Sequence, residues 1–384
     1  MLDYQSIRPM KTAIVGCGAI SEIFFKNFTE RFRIIDLVKC CSKSGISAQR
    51  KAEQYNVQCS TLDEILADPE IELLVNLTPA SQHYQIIKAG LMAGKHVYSE
   101  KIFTPYLHQT QELMQLAADK GLYISGEPDH FLGAAWQCAR EYIDAGILGE
   151  VTSIAASSCN NRGGVSERMS FVNEIAGGVA YDFGIYLIAS MVALLGPAKE
   201  VCGIMRNHVP SRVHRNLSHK DFGQEYQTPN EDQLAASILF ESGAVATLHM
   251  NGNTLMTTKP YFMIHGSDGS LSMSSPAEFS GDMLLYRAAS REPTMLTPAH
   301  GFYHDSRGLG AADLAWAIRL GRNPRVSAEF VLHCQEIIQG IDESFQTKRF
   351  YEMTTTCDRP APLPKGYLGR NAVFSYDEEG ALVF

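Results

Sequence analysis

From Lys11 to Gly126, short apolar runs alternate with longer amphipathic stretches, which is the rhythm of successive βαβ units. The runs Thr12–Val15, Leu37–Cys41, Leu73–Leu77, His96–Tyr98 and Tyr123–Ser125 are short and apolar, as parallel strands covered on both faces should be. Helical periods fill Ala19–Phe28 and Ser81–Ala93, and Thr61 with Glu64 has the spacing of a capping box that opens another helix. After Gly126 the grammar changes. Trp136–Ala145 reads as a helix ended by Gly146, Val151–Ser158 as a strand, and Gly178–Leu195 as a long helix stopped by Gly196-Pro197. Strands are then expected at Val201–Met205, Leu234–Phe240, Ala244–Met250, Tyr261–His265 and Ser270–Met273. In the second of these, Leu234, Ala236, Ile238 and Phe240 alternate with more polar residues, the pattern of a half-buried strand. Residues 209–230 and 288–308 read as polar loops, and helices near Gly310–Leu320 and Ala328–Thr347 precede a Pro-rich tail. The expected fold class is therefore α/β: a Rossmann fold with a parallel sheet over 10–129, then an α+β domain over 130–384 built on a large, open, mainly antiparallel sheet. The tail could return to pack on the first domain.

The length supports the division, since 384 residues exceed the roughly 250–300 that one hydrophobic core serves. Net charge is −9 with no Lys/Arg-rich run, so the electrostatic footprint of a nucleic-acid binder is missing; a small neutral polyhydroxylated substrate suits this surface better. No apolar run approaches the ~20 residues of a membrane span. The N-terminal MLDYQSIRPM has no apolar core, so it does not read as a signal peptide, and Met10 could be the true start. Nine scattered cysteines without a CxxC pair read as reduced thiols and a cytoplasmic location. No metal-ligand spacing stands out, so no metal is expected.

The first strand runs into Gly16-Cys17-Gly18-Ala19-Ile20-Ser21 and then a helix. This is GxGxxG with a small Ser in the last place. The first glycine permits the tight turn, and the second lets backbone amides approach a pyrophosphate at the helix N-terminus. An acid about 20 residues further on would grip the 2′-hydroxyl of NAD. Here the second strand ends Cys40-Cys41-Ser42-Lys43-Ser44, without an acid. Ser42 can donate to a 2′-phosphate and Lys43 can neutralise it, with Arg50 in support, so NADP is favoured while NAD stays possible.

Further motifs carry a family likeness. They are Leu77-Thr78-Pro79 followed by His83, Ala93-Gly94-Lys95-His96-Val97, Glu100-Lys101, and Gly177-Gly178-x-x-x-Asp182-x-Gly184-x-Tyr186. With the glycine turn, and in this order, the chain resembles the glucose–fructose oxidoreductase / inositol dehydrogenase (Gfo/Idh/MocA) family over almost its whole length. The resemblance implies nicotinamide chemistry on a sugar, sugar acid, cyclitol or related carbonyl compound. It implies cofactor contacts from Gly16, Gly18, Ala19, Ile20, Ser42, Lys43, Thr78, Pro79, His83, Glu100 and Lys101. Two positions depart from the common pattern. Ile102 replaces the proline that usually follows Glu-Lys, which should hold Lys101 less rigidly, and Tyr186 stands where many members carry His.

Oxidising a secondary alcohol needs a hydride acceptor and a base for the hydroxyl proton. Lys101 follows a strand whose carboxyl end is where open α/β sheets place ligands. Asp182 and Tyr186 are four apart on the expected helix and so share one face. The assignment is Tyr186 as general acid/base, Lys101 as its electrostatic partner and substrate-oxygen ligand, and Asp182 as acceptor for a substrate hydroxyl. Glu100 is expected on the nicotinamide ribose. On residues alone, Tyr186 sits in an apolar stretch that also suits a core tyrosine, and Asp182 suits a helix-start acid. Asp129, His130, Asn160, Asn161, Arg162 and Tyr303 are candidate substrate contacts, with His304 and Arg307 behind them; Asn160–Arg162 would serve equally as a polar turn. His249 is expected to be exposed or at a subunit contact, and Trp136 and Trp316 to be core. Two other activities are open: a glycoside lyase or hydrolase that oxidises its substrate transiently on tightly bound NAD(H), and a nicotinamide-sensing regulator. An open antiparallel sheet needs a cover, which suggests a homodimer or a dimer of dimers.

Overall fold

The computed structural model describes residues 7–163, 170–255, 261–273, 275, 277–288, 290–364, 375–376 and 382–383. Two compact units emerge. The first comprises Met1–Gln137, Ala299–Val331 and Ala361–Phe384, and the second Cys138–Pro298 and Leu332–Pro360. This is not the continuous division at 129/130. The chain returns to the first unit twice; there the Gly310 N–H donates to buried Asp129 and the Leu363 N–H to Gln137 Oε1, 2.7 Å each.

The first unit holds β1 (Met10–Val15), α1 (Ser21–Glu30), β2 (Ile35–Cys41), α2 (Ile46–Tyr55), β3 (Gln58–Cys59), α3 (Leu62–Ala67), β4 (Leu73–Asn76), α4 (Ala80–Met92), β5 (His96–Ser99), α5 (Leu107–Asp119) and β6 (Ile124–Gly126). Its six strands are all parallel, in the order β3-β2-β1-β4-β5-β6. The sequence missed only β3, which is two residues long. β1 and β4 are neighbours from which the chain winds in opposite directions, so their carboxyl ends form the crevice where such sheets take ligands. α3 opens with the expected capping box: the Glu64 N–H donates to Thr61 Oγ1 (3.2 Å) and the Thr61 N–H to Glu64 Oε2 (2.8 Å).

Helix α6 (Ala134–Asp144) begins in the first unit and ends in the second. The second unit continues with β7 (Val151–Cys159), a π-helical turn at Ala180–Gly184, α7 (Ile185–Leu195), β8 (Ala198–Arg206), β9 (Ser211–Val213), β10 (Glu225–Gln227), β11 (Gln233–Phe240), β12 (Val245–Asn251), β13 (Tyr261–Gly266), β14 (Gly269–Met273), β15 (Met283–Arg287) and β16 (Thr294–Leu296). After the excursion that carries α8 (Leu309–Leu320), the chain re-enters along α9 (Ala328–Thr347) and ends the sheet with β17 (Tyr351–Glu352). The nine-stranded sheet runs β16-β15-β14-β13-β7-β12-β11-β8-β17, antiparallel except for the parallel pair β7–β12. One face packs under helices: Gly184 of the π turn lies against Met250 of β12, and Gly340 and Ile341 of α9 lie on β8. From Ile185 to Leu194 every residue of α7 is buried. On the opposite face Ile204, Ala235, Ser237, Thr247 and His249 are exposed. The stretches expected as plain loops hold the β9–β10 hairpin and strand β16, and β15 was not anticipated at all; their runs are too short for a periodicity to register.

Candidate active site

The glycine turn is built for a close backbone approach. Gly16 has φ +103°, and a Cβ there would stand 2.7 Å from the carbonyl carbon and oxygen of Leu77, so only glycine fits. Gly18 would carry a Cβ into open space, and Ala19 and Ile20 are exposed. The Ser21 N–H that opens α1 donates to the Gly18 carbonyl (3.1 Å), and no side chain caps the helix start, an arrangement suited to an anion. Ser21 is fully buried and donates to the Gly18 carbonyl (2.6 Å), which locks the turn onto the helix. These features fit a dinucleotide pyrophosphate. Beyond β2 the loop holds no acid: Ser42 Oγ accepts the Ala48 N–H at the start of α2 (3.2 Å), while Lys43 and Arg50 are exposed.

At the carboxyl ends of β4 and β5, polar groups are tied to one another. Asn76 is fully buried; its Nδ2 donates to Ser99 (3.0 Å), and its Oδ1 accepts the Thr78 N–H (3.2 Å) and hydroxyl (2.6 Å). The Glu100 N–H donates to the Asn76 carbonyl (2.8 Å), and Glu100 Oε2 accepts the Lys101 N–H (3.0 Å). His83, read from sequence as a cofactor contact, is buried. Its Nδ1 lies 2.6 Å from the Ile102 carbonyl and its Nε2 2.7 Å from the Thr78 carbonyl, so neither nitrogen is left for a ligand. Burial lowers its pKa, against which the two carbonyls and Glu100 act. The histidine is a strut for the Thr78-Pro79 and Lys101-Ile102 segments. Where the family's proline would stand, Ile102 is buried with Phe103, and His83 holds the Ile102 carbonyl.

Just past β6 lies a cluster that the sequence reading only half found. Asp129 is fully buried, and its Oδ2 accepts the Gly310 N–H (2.7 Å) and the Tyr98 hydroxyl (3.2 Å). Glu127, overlooked before, is also buried; Oε1 accepts the same hydroxyl (3.2 Å) and Oε2 the Asp129 N–H (3.0 Å). Burial raises the pKa of Asp129 to about 6. Burial and the adjacent Asp129 hold Glu127 well above the carboxylate range. Both shifts run upward because two buried carboxyls share one phenol and two peptide donors, against which the charge of Arg307 acts. The signal in the sequence was Glu-Pro-Asp directly after the last parallel strand. His130 is buried against Trp136 in edge-to-face geometry (centroids 5.7 Å apart), which is a packing position. Tyr303 and His304 are exposed, and Arg307 is paired with Asp305.

In the second unit, Asp182 and Tyr186 straddle a change of helix type. Asp182 lies in the π turn and Tyr186 in α7, so the one-face argument from α-helical spacing does not hold as stated. Arg162 Nη1 donates to Asp182 Oδ2 (2.6 Å), and its Nη2 donates to the Gly177 carbonyl. The guanidinium is buried, and its hydrogen bonds position Asp182. The Gly177-Gly178 pair has a steric reason: a Cβ on Gly177 would strike the carbonyls of Phe171 and Val172, and one on Gly178 the carboxylate of Glu231. Glu231 Oε1 accepts the Ala180 N–H (3.0 Å) and so anchors the start of the π turn; it too was missed. Tyr186 is 7% exposed, with its ring tilted on Phe183 at 6.0 Å. Asn160 and Asn161 are woven into the sheet edge. The Asn160 N–H donates to the Asn251 carbonyl (2.9 Å), and Asn161 forms a bridge with Asn253. Asn160 Oδ1 is shielded without a hydrogen-bond partner.

Comparison with known proteins agrees with this geometry. Residues 10–126 match the oxidoreductase family with an NAD-binding Rossmann fold, and residues 136–272 match the C-terminal domain of the same GFO/IDH/MocA family. An uncharacterized oxidoreductase of Schizosaccharomyces pombe is 32% identical over 197 residues, 50% of this chain and 53% of that protein. The chain thus spans about half the length of such relatives. The scyllo-inositol 2-dehydrogenase (NADP(+)) IolW of Bacillus subtilis is 22% identical over 90% of this chain and 96% of its own. Levoglucosan dehydrogenase, solved with NADH and L-sorbose, superposes with a TM-score of 0.78 at 19% identity, covering 90% of this chain and 99% of that one, a likeness of fold. No helix among the described residues is long and apolar enough to cross a membrane. Sheet order, glycine turn and both domain matches converge, and the chain belongs to the Gfo/Idh/MocA family of oxidoreductases.

Proposed function

We propose that this protein is a cytoplasmic NADP(H)-dependent oxidoreductase that moves a hydride between the nicotinamide and a sugar, sugar acid, cyclitol or related carbonyl compound. The observation that carries the reading is the glycine turn, with Gly16 pressed on Leu77, open space at Gly18 and an uncapped α1. Gly16, Gly18, Ala19 and Ile20 would hold the pyrophosphate, and Ser42 and Lys43 the 2′-phosphate. Thr78, Pro79 and Glu100 would line the path to the ring, with His83 behind them. When bound, the nicotinamide supplies the hydride acceptor or donor.

In this reading Tyr186 holds and releases the proton of the substrate hydroxyl. Lys101 favours the phenolate and binds the substrate oxygen. Asp182, fixed by Arg162, orients a substrate hydroxyl, and Asn160, Asn161, Asp129, His130 and Tyr303 are the remaining candidates for specificity. The relatives support the substrate class by their names, one a scyllo-inositol dehydrogenase using NADP(+) and one solved with L-sorbose. We further propose a homodimer through the exposed sheet face that bears Ile204, Ala235, Thr247 and His249. Light scattering on the purified protein should give twice the chain mass, and a monomer would remove that part.

The test is NADPH oxidation, followed at the reduced-nicotinamide band, with a panel of aldoses, ketoses and inososes, together with the reverse reaction. Tyr186→Phe and Lys101→Ala should each lower kcat/KM by about 100-fold or more while NADPH still binds. Lys43→Ala should weaken NADP(H) but not NAD(H). No turnover on any substrate in either direction, with cofactor bound, would sink the reading.

A further inference from the structure

The hairpin of β9 and β10 carries a feature that the proposed oxidoreductase chemistry does not use. Its turn brings His214, His219 and Asp221 together, with one ligand-type atom from each lying within 4.8 Å of the other two. Within 211–227, two histidines and a carboxylate at H-x4-H-x-D did not stand out as a metal spacing, because only the reversal of the chain makes His214 a neighbour of the other two.

The cluster is held in place. The His214 ring is sandwiched between His219 (centroids 3.9 Å apart, 10° between planes) and Tyr226 of β10 (4.2 Å, 23°). Its Nδ1 is shielded from solvent without a hydrogen-bond partner. A shielded imidazole nitrogen with nothing bound to it is costly unless it meets a donor or a cation. His219 Nδ1 accepts the Asp221 N–H at 3.2 Å and lies 4.0 Å from Asp221 Oδ2. The backbone of the turn is closed around these side chains: the His214 N–H donates to the Gln224 carbonyl (3.0 Å), the Gly223 N–H to the His214 carbonyl (2.9 Å), and the His219 N–H to the Asn216 carbonyl (2.9 Å).

We propose that His214, His219 and Asp221 form a binding site for a divalent transition-metal ion of the zinc type, with water completing the coordination. Two imidazoles and one carboxylate are the donor set of zinc sites that keep a position open, and their ligand atoms close to about 3.3 Å apart around the ion. Reaching that spacing takes a contraction of up to about 1.5 Å, and His219 must turn out of its stack on His214 so that both in-plane lone pairs aim at the ion; an ion on His219 Nδ1 would replace the long contact to the Asp221 N–H. The ion clamps the tip of a hairpin whose root is already bolted down. Asp232 accepts the N–H groups of His208 and Val209 (2.8 Å each), and Arg212 donates to Asn253, the residue bridged to Asn161. The metal therefore stiffens the hairpin beside a candidate substrate segment and takes no part in hydride transfer.

Protein stripped with a chelator and titrated with ZnCl2 by calorimetry should bind one equivalent at this site. With Co2+ it should show visible d–d absorption of a site with two nitrogen ligands. His214→Ala and His219→Ala should each weaken binding at least ten-fold. Asp221→Asn, which keeps size and turn contacts, should weaken it in the same sense, and His249→Ala on the sheet face should change nothing. A zinc-induced rise in melting temperature should occur in the wild type and vanish in the His214→Ala/His219→Ala variant. No binding up to millimolar zinc, or equal stoichiometry and affinity in that double variant, would overturn the proposal. None of these readouts depends on enzymatic activity, so the metal site and the proposed reaction stand or fall separately.

Discussion

Two groups of buried acids in the first unit solve the same problem in opposite ways. Asp313 of α8 is fully buried and takes two guanidiniums: Arg322 Nη2 at 2.5 Å and Arg325 Nη1 at 2.6 Å, with the Arg325 N–H adding a third donor at 2.7 Å. Glu127 and Asp129 are just as buried, but they accept from the Tyr98 phenol and two peptide N–H groups, and the charge of Arg307 acts on both. The first arrangement holds its acid between two guanidiniums and serves as a lock. The second can change its charge with pH, and it sits at the strand ends where the fold takes its ligand. Burial alone therefore does not fix what a buried acid does; the kind of donor around it matters as well.

Removing the lock should have the largest effect. Asp313→Ala leaves two partly buried guanidiniums without their anion and should cost about 3–5 kcal/mol in urea denaturation. A loss near zero would mean that the arginines find other partners and that the contrast is false. The acid pair should respond to pH instead. Because the folded pKa of Asp129 is raised to about 6, the folded state keeps a proton that the unfolded chain releases above about pH 4. Its contribution is thus most favourable in acid and is lost as pH rises through that window, with Glu127 extending the loss upward. Glu127→Gln, which imitates the neutral acid, should flatten this dependence, so that the variant gains on the wild type as pH rises from 5 to 8. Identical pH profiles for the two proteins would show that the pair holds no proton.

A smaller loss is expected in the second unit. Asp182→Asn weakens the charge-assisted bond to Arg162 and should cost about 1–2 kcal/mol. If the proposed function holds, it should also raise KM more than it lowers kcat. Least of all, Glu112→Ala removes an exposed partner of Lys88 and Tyr84 and should leave the denaturation midpoint unchanged within error. A measurable shift there would mean that surface pairs matter more in this protein than exposure allows.

The primary structure by itself determined the alternation of strand and helix in the first unit, the glycine turn and the capping box at Thr61, because each depends on residues close together in the chain. It placed α9 at its observed limits of Ala328–Thr347 for the same reason, since a sustained 3.6-residue period needs no distant partner. Tertiary structure alone decided that residues 299–331 return to the first unit and that Gly310 supplies an N–H to Asp129, 181 positions earlier. It decided that His83 is a strut, that the helix carrying Asp182 opens as a π turn braced by Glu231, and that His214 meets His219 and Asp221. A local pattern records which face of an element is apolar. Which carbonyl, carboxylate or guanidinium fills a buried polar group's remaining bond is settled only when segments far apart in sequence pack together.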